Sequence, residues 1–179
     1  MRTVATPTIH PRQYLYRLWQ QLPLLQEIPL DPRVDQLEHS LQCASRAWRD
    51  GATREWILCA LFHDFGRIVD DRDHAAASAK LLQPLLGAET LWVLANHDIF
   101  MLRHAPLGAK VDRESRRYFV DHPWFASAAY FADTWDCRSF DPNYPTLPMN
   151  FFEPLLFDFV DYLPSLSFQS TIYFDRTYQ

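Results

Sequence analysis

The chain is expected to fold as an all-α single domain, a bundle of helices around one core, and three observations carry that expectation. Only four glycines occur in 179 residues, beside many Leu, Ala, Gln, Arg and Glu, a balance that suits helices better than sheets. Apolar residues recur at helical spacing in segment after segment, and a glycine, a proline or a polar cap punctuates most of them. A chain of this length with 48% hydrophobic residues can bury its own core, and no repeat or linker divides it into two domains.

Residues 1–9 read as an unstructured lead-in. A first helix follows Pro11, with Tyr14, Leu15, Leu18 and Leu22 on one stripe, and the segment Ile28-Pro29-Leu30-Asp31-Pro32 breaks the chain after it. The next helix runs from about Val34 to Arg49, where Val34, Leu37, Leu41 and Ala44 share a face and Asp50-Gly51 closes it. A second core helix spans roughly Arg54 to Asp64 and stops at Gly66; a third covers about Asp73 to Leu86 and ends at Gly87; a fourth extends from Glu89 to about Arg103. Pro123 suits the first turn of a long aromatic helix reaching about Arg138. Phe140 to Pro148 is a Pro-rich loop, and Phe151 to Tyr162 forms the last helix.

The bulk properties exclude several classes. A net charge of −5 and a broken basic stretch at Arg113–Arg117, interrupted by Glu114, argue against nucleic-acid binding. Cys43, Cys59 and Cys137 have no CxxC spacing and cannot all pair, so reduced thiols in a cytoplasmic protein account for them best. No apolar run approaches the length of a spanning helix, and the N-terminus lacks the apolar stretch of a signal peptide, so no membrane partner is expected.

The chemistry lies in the histidines. His63-Asp64 ends an apolar helix, and alone such a dipeptide is more often a cap and a turn residue than a site. His39 stands beside the Leu37 and Leu41 stripe of the preceding helix, His74 opens the next, and His97 lies within the one after. Asp133 and Asp136 both sit in the apolar run Tyr130-Phe131-Ala132-Asp133-Thr134-Trp135-Asp136. Polar groups on apolar surfaces need partners, either one another or a cation. For any one of these residues, a satisfied core position is the better explanation; for His39, His63, Asp64, His74, His97 and an Asp of the last run together, a metal site converging between helices is. Imidazole and carboxylate without thiolate favour Fe, Mn, Co, Ni or Zn, bound as one ion or two. Asp133 and Asp136 are three apart on nearly the same helix face, so periodicity does not choose between them. His10 and His122, each before a proline, read as cap or loop residues.

The order His39, His63-Asp64, His74, His97, Asp136 resembles the HD-domain superfamily, in particular its diiron oxygenase branch, which includes myo-inositol oxygenase and the oxygenases that cleave the carbon–phosphorus bond of hydroxyphosphonates. Gln36-Leu37-Glu38-His39-Ser40-Leu41-Gln42 is similar to the first-His helix of the phosphonate-cleaving group, and Ala60-Leu61-Phe62-His63-Asp64-Phe65-Gly66 to the HD helix. His122-Pro123-Trp124-Phe125, Trp135-Asp136 and Phe152-Glu153-Pro154-Leu155-Leu156 follow that group's C-terminal order, so the likeness covers roughly residues 34–156. The resemblance implies a helical HD bundle with a metal site between its core helices. It further implies that His39, His63, Asp64 and Asp136 bind one ion, that His74 and His97 bind a second, and that Asp64 bridges them. The implied cofactor is a mixed-valent Fe(II)/Fe(III) pair, with O₂ and a small hydroxylated molecule as substrates. Asp64 and Arg67 are the implied catalytic residues; Arg67, Arg103 and His104 are assigned to substrate. The match after Asp136 favours it over Asp133, although Ala132-Asp133 resembles the final aspartate of HD phosphohydrolases.

The departures bear on substrate. Arg67 stands where the family often has Lys or His, Met101 and Phe140 where the phosphonate group tends to have Lys, and Pro29 and Pro32 near where that group carries Tyr and Glu. The spacing from His63 to His74 is short, which implies a trimmed loop. A pocket with fewer cations implies a substrate smaller or more apolar than the family's phosphonates. The competing function is a metal-dependent phosphohydrolase acting on a nucleotide or other phosphate ester, with Arg67 on the developing charge. A catalytically dead binding module is a third, and the retention of so many costly buried polar groups argues against it.

Overall fold

Helix α1 (Pro11–Gln21) begins where Pro11 supplies a preset first turn and the His10 Nδ1 accepts from the Arg12 amide at 3.2 Å. It buries Tyr14, Leu15, Leu18 and Trp19, as its stripe requires, and the Tyr14 hydroxyl donates to the Leu81 carbonyl at 2.7 Å. The computed structural model describes residues 8–29 and 33–167. Leu22–Glu27 continues as a 3₁₀ turn, and of the expected break at Ile28–Pro32 residues 30–32 lie outside the described residues.

The bundle proper is α2 (Gln36–Arg49), α3 (Arg54–Phe62), α4 (His74–Leu82), α5 (Ala88–Met101), a short α6 (Phe125–Tyr130) and α7 (Met149–Val160). The Asp35 side chain accepts from the Glu38 amide at 2.8 Å to open α2, and Gly51 at φ 77° turns the chain after it. Thr53 caps α3 in the same way. From Ile57 to Phe62, α3 is buried on every face, so it is the central helix. It packs between α2 and α7 and touches α5, while α4 pairs with α5. Because α3 is enclosed, the two polar residues at its end, His63 and Asp64, are carried into the interior with it.

The architecture is the expected all-helical bundle, with corrections at element ends. The α3 helix stops at Phe62, and Phe65–Ile68 forms a separate 3₁₀ turn. Helix α4 ends at Leu82 rather than Leu86, and α5 at Met101, followed by the 3₁₀ turn Leu102–His104. The long aromatic helix expected from Pro123 instead starts at Phe125 and, from Phe131 to Asp136, widens into π geometry, with the Cys137 amide donating to the Ala132 carbonyl at 3.0 Å. The lead-in is not wholly irregular. Residues 1–7 lie outside the described residues, but β1 (Thr8–Ile9) pairs antiparallel with β2 (Leu166–Ser167), joining the two ends of the described chain where Ile9 packs on the core. Cys43, Cys59 and Cys137 are free thiols, and among the described residues no helix is long and apolar enough to cross a membrane.

Gly66 fixes the approach of α4. A Cβ there would lie 2.2 Å from the His74 carbonyl oxygen, 2.6 Å from the Ser78 amide nitrogen and 2.8 Å from the Ala77 Cβ. The Gly66 amide donates to the Ser78 hydroxyl at 2.7 Å in the same contact. Two of the three clashes are with backbone, which cannot rotate away, so α4 would have to move bodily and take His74 with it. Gly66→Ala is expected to cost about 3 kcal/mol, the upper part of the range for overpacking. Urea denaturation checks this as a lowered midpoint with an unchanged slope.

Candidate metal centre

The bundle brings together all six residues singled out as ligands. His39 comes from the first turn of α2, His63 and Asp64 from the end of α3, His74 from the first turn of α4, His97 from α5 and Asp136 from the end of the π turn. His39, His63, Asp64, His97 and Asp136 are buried, whereas the His74 side chain keeps 12% of its surface exposed. His74 therefore marks the side on which the cluster meets solvent.

Asp64 divides the cluster. Its Oδ1 lies 3.0 Å from His74 Nε2 and 3.3 Å from His97 Nε2. Its Oδ2 lies 3.4 Å from His63 Nε2 and 3.7 Å from His39 Nε2. Asp136 Oδ1 completes the second set, 3.2 Å from His39 Nε2 and 3.6 Å from His63 Nε2. His39, His63 and Asp136 thus present ligand atoms close enough for one ion, as do His63, Asp64 and His97.

The ring nitrogens show why this donor set fits a cation. His39 Nδ1 is 2.9 Å from the Ser139 carbonyl oxygen, His63 Nδ1 2.8 Å from that of Ala60, and His97 Nδ1 2.7 Å from that of Leu94. A carbonyl oxygen only accepts, so each Nδ1 carries a proton, and the inward Nε2 is the atom left on each ring to give a lone pair to a cation. The Nε2 atoms of His39 and His63 are 3.0 Å apart. Two lone pairs at that distance repel unless a proton or a metal ion sits with them. Backbone carbonyls that orient imidazoles through the far nitrogen are the usual support of histidine ligands. Rings complete the support: Phe140 lies on His39 at 4.5 Å between centroids, and Phe131 meets His63 edge-on at 5.7 Å.

Burial alone would push both carboxyl groups up. For Asp64 the charge of His63 and the contacts from His74 and His97 overcome it and hold the group well below the usual carboxylate range. Asp136 is likewise held down against burial, by the charge of His63 and the contact with His39. Burial lowers His39, but its bond to Asp136 and the two carboxylate charges raise it above the ordinary imidazole value. The centre is thus a buried anionic pair seeking positive charge.

Two further side chains touch it. Gln36, fully buried one turn before His39, donates from Nε2 to Asp64 Oδ2 at 2.6 Å, and its Oε1 has no hydrogen-bond partner among the described residues. Sequence reasoning placed Gln36 in the first-His motif but gave it no role; a glutamine three residues before a buried histidine was the available signal. Arg67 lies with Nε 3.3 Å from Asp64 Oδ2 and Nη2 3.3 Å from His74 Nε2. Arg103 and His104, assigned to substrate from sequence, make their bonds elsewhere. Arg103 pairs loosely with Glu114 at 3.6 Å, and His104 Nε2 lies 2.7 Å from Asp133 Oδ1.

Asp133 and Asp136 separate because of the π turn. Residues three apart on an α-helix share a face, but the wider i→i+5 turn rotates the two away from each other. Asp136 enters the cluster, while Asp133 stays partly exposed and takes Arg116 on both oxygens at 2.9 and 3.0 Å. No model of a known protein family matches the chain, and no curated protein is significantly similar to it.

Asp136→Ala and His63→Ala are expected to lose bound metal while keeping a helical circular dichroism spectrum. Asp133→Ala should keep its metal and cost at most about 1 kcal/mol, since its ion pair is solvent-screened. Elemental analysis of the three purified variants, beside thermal melts, checks both outcomes.

Proposed function

We propose that the chain is a metalloenzyme of the HD-domain type, a mixed-valent diiron oxygenase that uses O₂ to cleave a small hydroxylated substrate oxidatively. The observation that carries this reading is the division of the cluster by Asp64, whose two oxygens face two different groups of imidazoles. A carboxylate so placed suits a pair of ions better than one. His39, His63 and Asp136 would hold one ion, His74 and His97 the other, and Asp64 both. Four imidazoles and two carboxylates without a thiolate are a donor set suited to iron, and also to Mn, Co, Ni or Zn. An iron pair there would supply O₂ activation and the oxidation of a bound hydroxyl-bearing carbon.

The chain's own residues supply the rest. The carbonyls of Ser139, Ala60 and Leu94 keep the histidines in the tautomer that offers Nε2. Gln36 holds Asp64 Oδ2 from within, fixing the carboxylate plane. Phe131 and Phe140 wall the deep side against water. Arg67, on the solvent side, has the fork geometry that binds a carboxylate, phosphate or phosphonate.

Arg67 also favours a second reading, a metal-dependent phosphohydrolase. A guanidinium beside the centre would bind the oxygens of a phosphate ester and stabilise the charge that develops on them. The two readings part on oxygen and on metal. Anaerobic purification with elemental analysis should give about two irons per chain, and controlled oxidation a half-integer-spin resonance with matching Mössbauer spectra. A single ion, or Mn, Co, Ni or Zn without a stable mixed-valent iron state, would instead favour the hydrolase. Phosphate release without O₂ would then confirm that choice.

A further inference from the structure

We infer that Arg67 and the second metal ion exclude one another, so that the centre loads in order: first the ion of His39, His63 and Asp136, then the ion of His74 and His97, at the cost of displacing Arg67. The inference rests on the metal-centre reading above and adds to it a resident competitor.

The contacts of Arg67 show an occupant that is only partly satisfied. Its Nε is buried and 3.3 Å from Asp64 Oδ2, near enough for an ion pair, yet it makes no directed hydrogen bond. Its Nη2 stands 3.3 Å from His74 Nε2, and that same nitrogen is 3.0 Å from Asp64 Oδ1. The two contacts make opposite demands. A guanidinium only donates, so Arg67 requires a lone pair on His74 Nε2, whereas the carboxylate oxygen only accepts and requires a proton there. A neutral ring cannot meet both. A cation on the His74 and Asp64 side meets both at once, since it takes the lone pair of one and the charge of the other. It cannot do so while a guanidinium spans the same pair.

Arg67 has somewhere to go. Its Nη1 already bonds Asp71 at 2.9 Å, and the Asp71 side chain is 72% exposed. The Arg67 side chain is itself 21% exposed, more open than any of the six ligands. It touches His74, the ligand that itself reaches solvent. Among the ligands of the first ion, His39, His63 and Asp136 make none of their contacts with Arg67, and Asp64 meets it only through the undirected 3.3 Å approach of Nε to Oδ2. The one imidazole that the guanidinium touches is His74, so the competition falls chiefly on the second site.

The test is a titration of metal-free protein with Co(II), followed by calorimetry and by the visible absorption of the bound ion. Wild-type protein should take one ion tightly and a second at least about tenfold more weakly, the scale of one charge-assisted hydrogen bond. Arg67→Ala should tighten the second ion by about tenfold or more and the first by clearly less. Removing a positive charge would help any nearby cation, so Arg67→Lys is the discriminating variant. Lysine keeps the charge but cannot span Asp64, His74 and Asp71 together, and the second ion should still tighten severalfold. Two equally tight ions in wild-type protein would overturn the inference, as would an Arg67→Lys variant indistinguishable from wild type. A protein that takes up no cobalt in any of the three forms would sink the metal centre itself, and the ordered loading with it.

Discussion

A carboxylate is costly to enclose, and the interior of this bundle buries almost all of Asp64. The cost is imposed by α3, whose apolar faces all require cover, so that its end and the residues after it are drawn inward together. An ionised Asp64 then needs donors or cations on every side, and each neighbouring element delivers at least one. The α2 helix brings Gln36 and His39, α4 brings His74, α5 brings His97, and the turn after α3 brings Arg67. Asp136 adds a second buried charge and makes the balance harder, for His39 and His63 must serve both carboxylates. A metal ion would resolve that shortage with the fewest protons, which makes the cluster and the packing one problem rather than two.

The same constraint explains the crowding at Gly66. His74 is useful only if the first turn of α4 comes down onto the turn that follows Asp64. That approach leaves no room for a Cβ between the His74 carbonyl and residue 66. A short spacing from His63 to His74 tightens the connection without preventing the contact: the chain between them folds as a 3₁₀ turn and a bend, and His74 Nε2 still reaches Asp64 Oδ1.

Much of this was legible in the sequence because it depends on local chemistry. Pro11 and Gly51 mark helix ends by mechanisms that operate within a few residues, and the apolar stripes of α1 and α2 mark the buried faces. The metal-binding types at successive helices gave the cluster its membership. What escaped depended on backbone geometry that side-chain spacing does not encode. The π turn that parts Asp133 from Asp136 has no signature in a period of three or four, so the two remained equivalent until the fold separated them. The pairing of Thr8–Ile9 with Leu166–Ser167 joins segments at opposite ends of the described chain, beyond the reach of any local pattern. Gln36 looked like an ordinary amide near a helix start, and only the approach of Asp64 from another helix gives it work. Arg103 and His104 follow α5, and a short turn carries them to Glu114 and Asp133 instead of to the ligands.

The positions that depart from the oxygenase pattern differ in what they place beside the ligands. Phe140 is packed on the ring of His39 and contributes an apolar wall where a lysine would contribute charge. Met101 ends α5 half-buried against the core. Arg67 is thus the one cation in direct contact with the ligands among the described residues, and it is committed to Asp64. A substrate anion cannot draw on that charge while Asp64 holds it. Metal ions that neutralise Asp64 would release the guanidinium toward solvent with its donors unspent, on the side where His74 is exposed. Under the proposed reading, loading of the centre would free the anion-binding group rather than merely sit beside it, and a single fork-shaped cation would set the charge a substrate could bring.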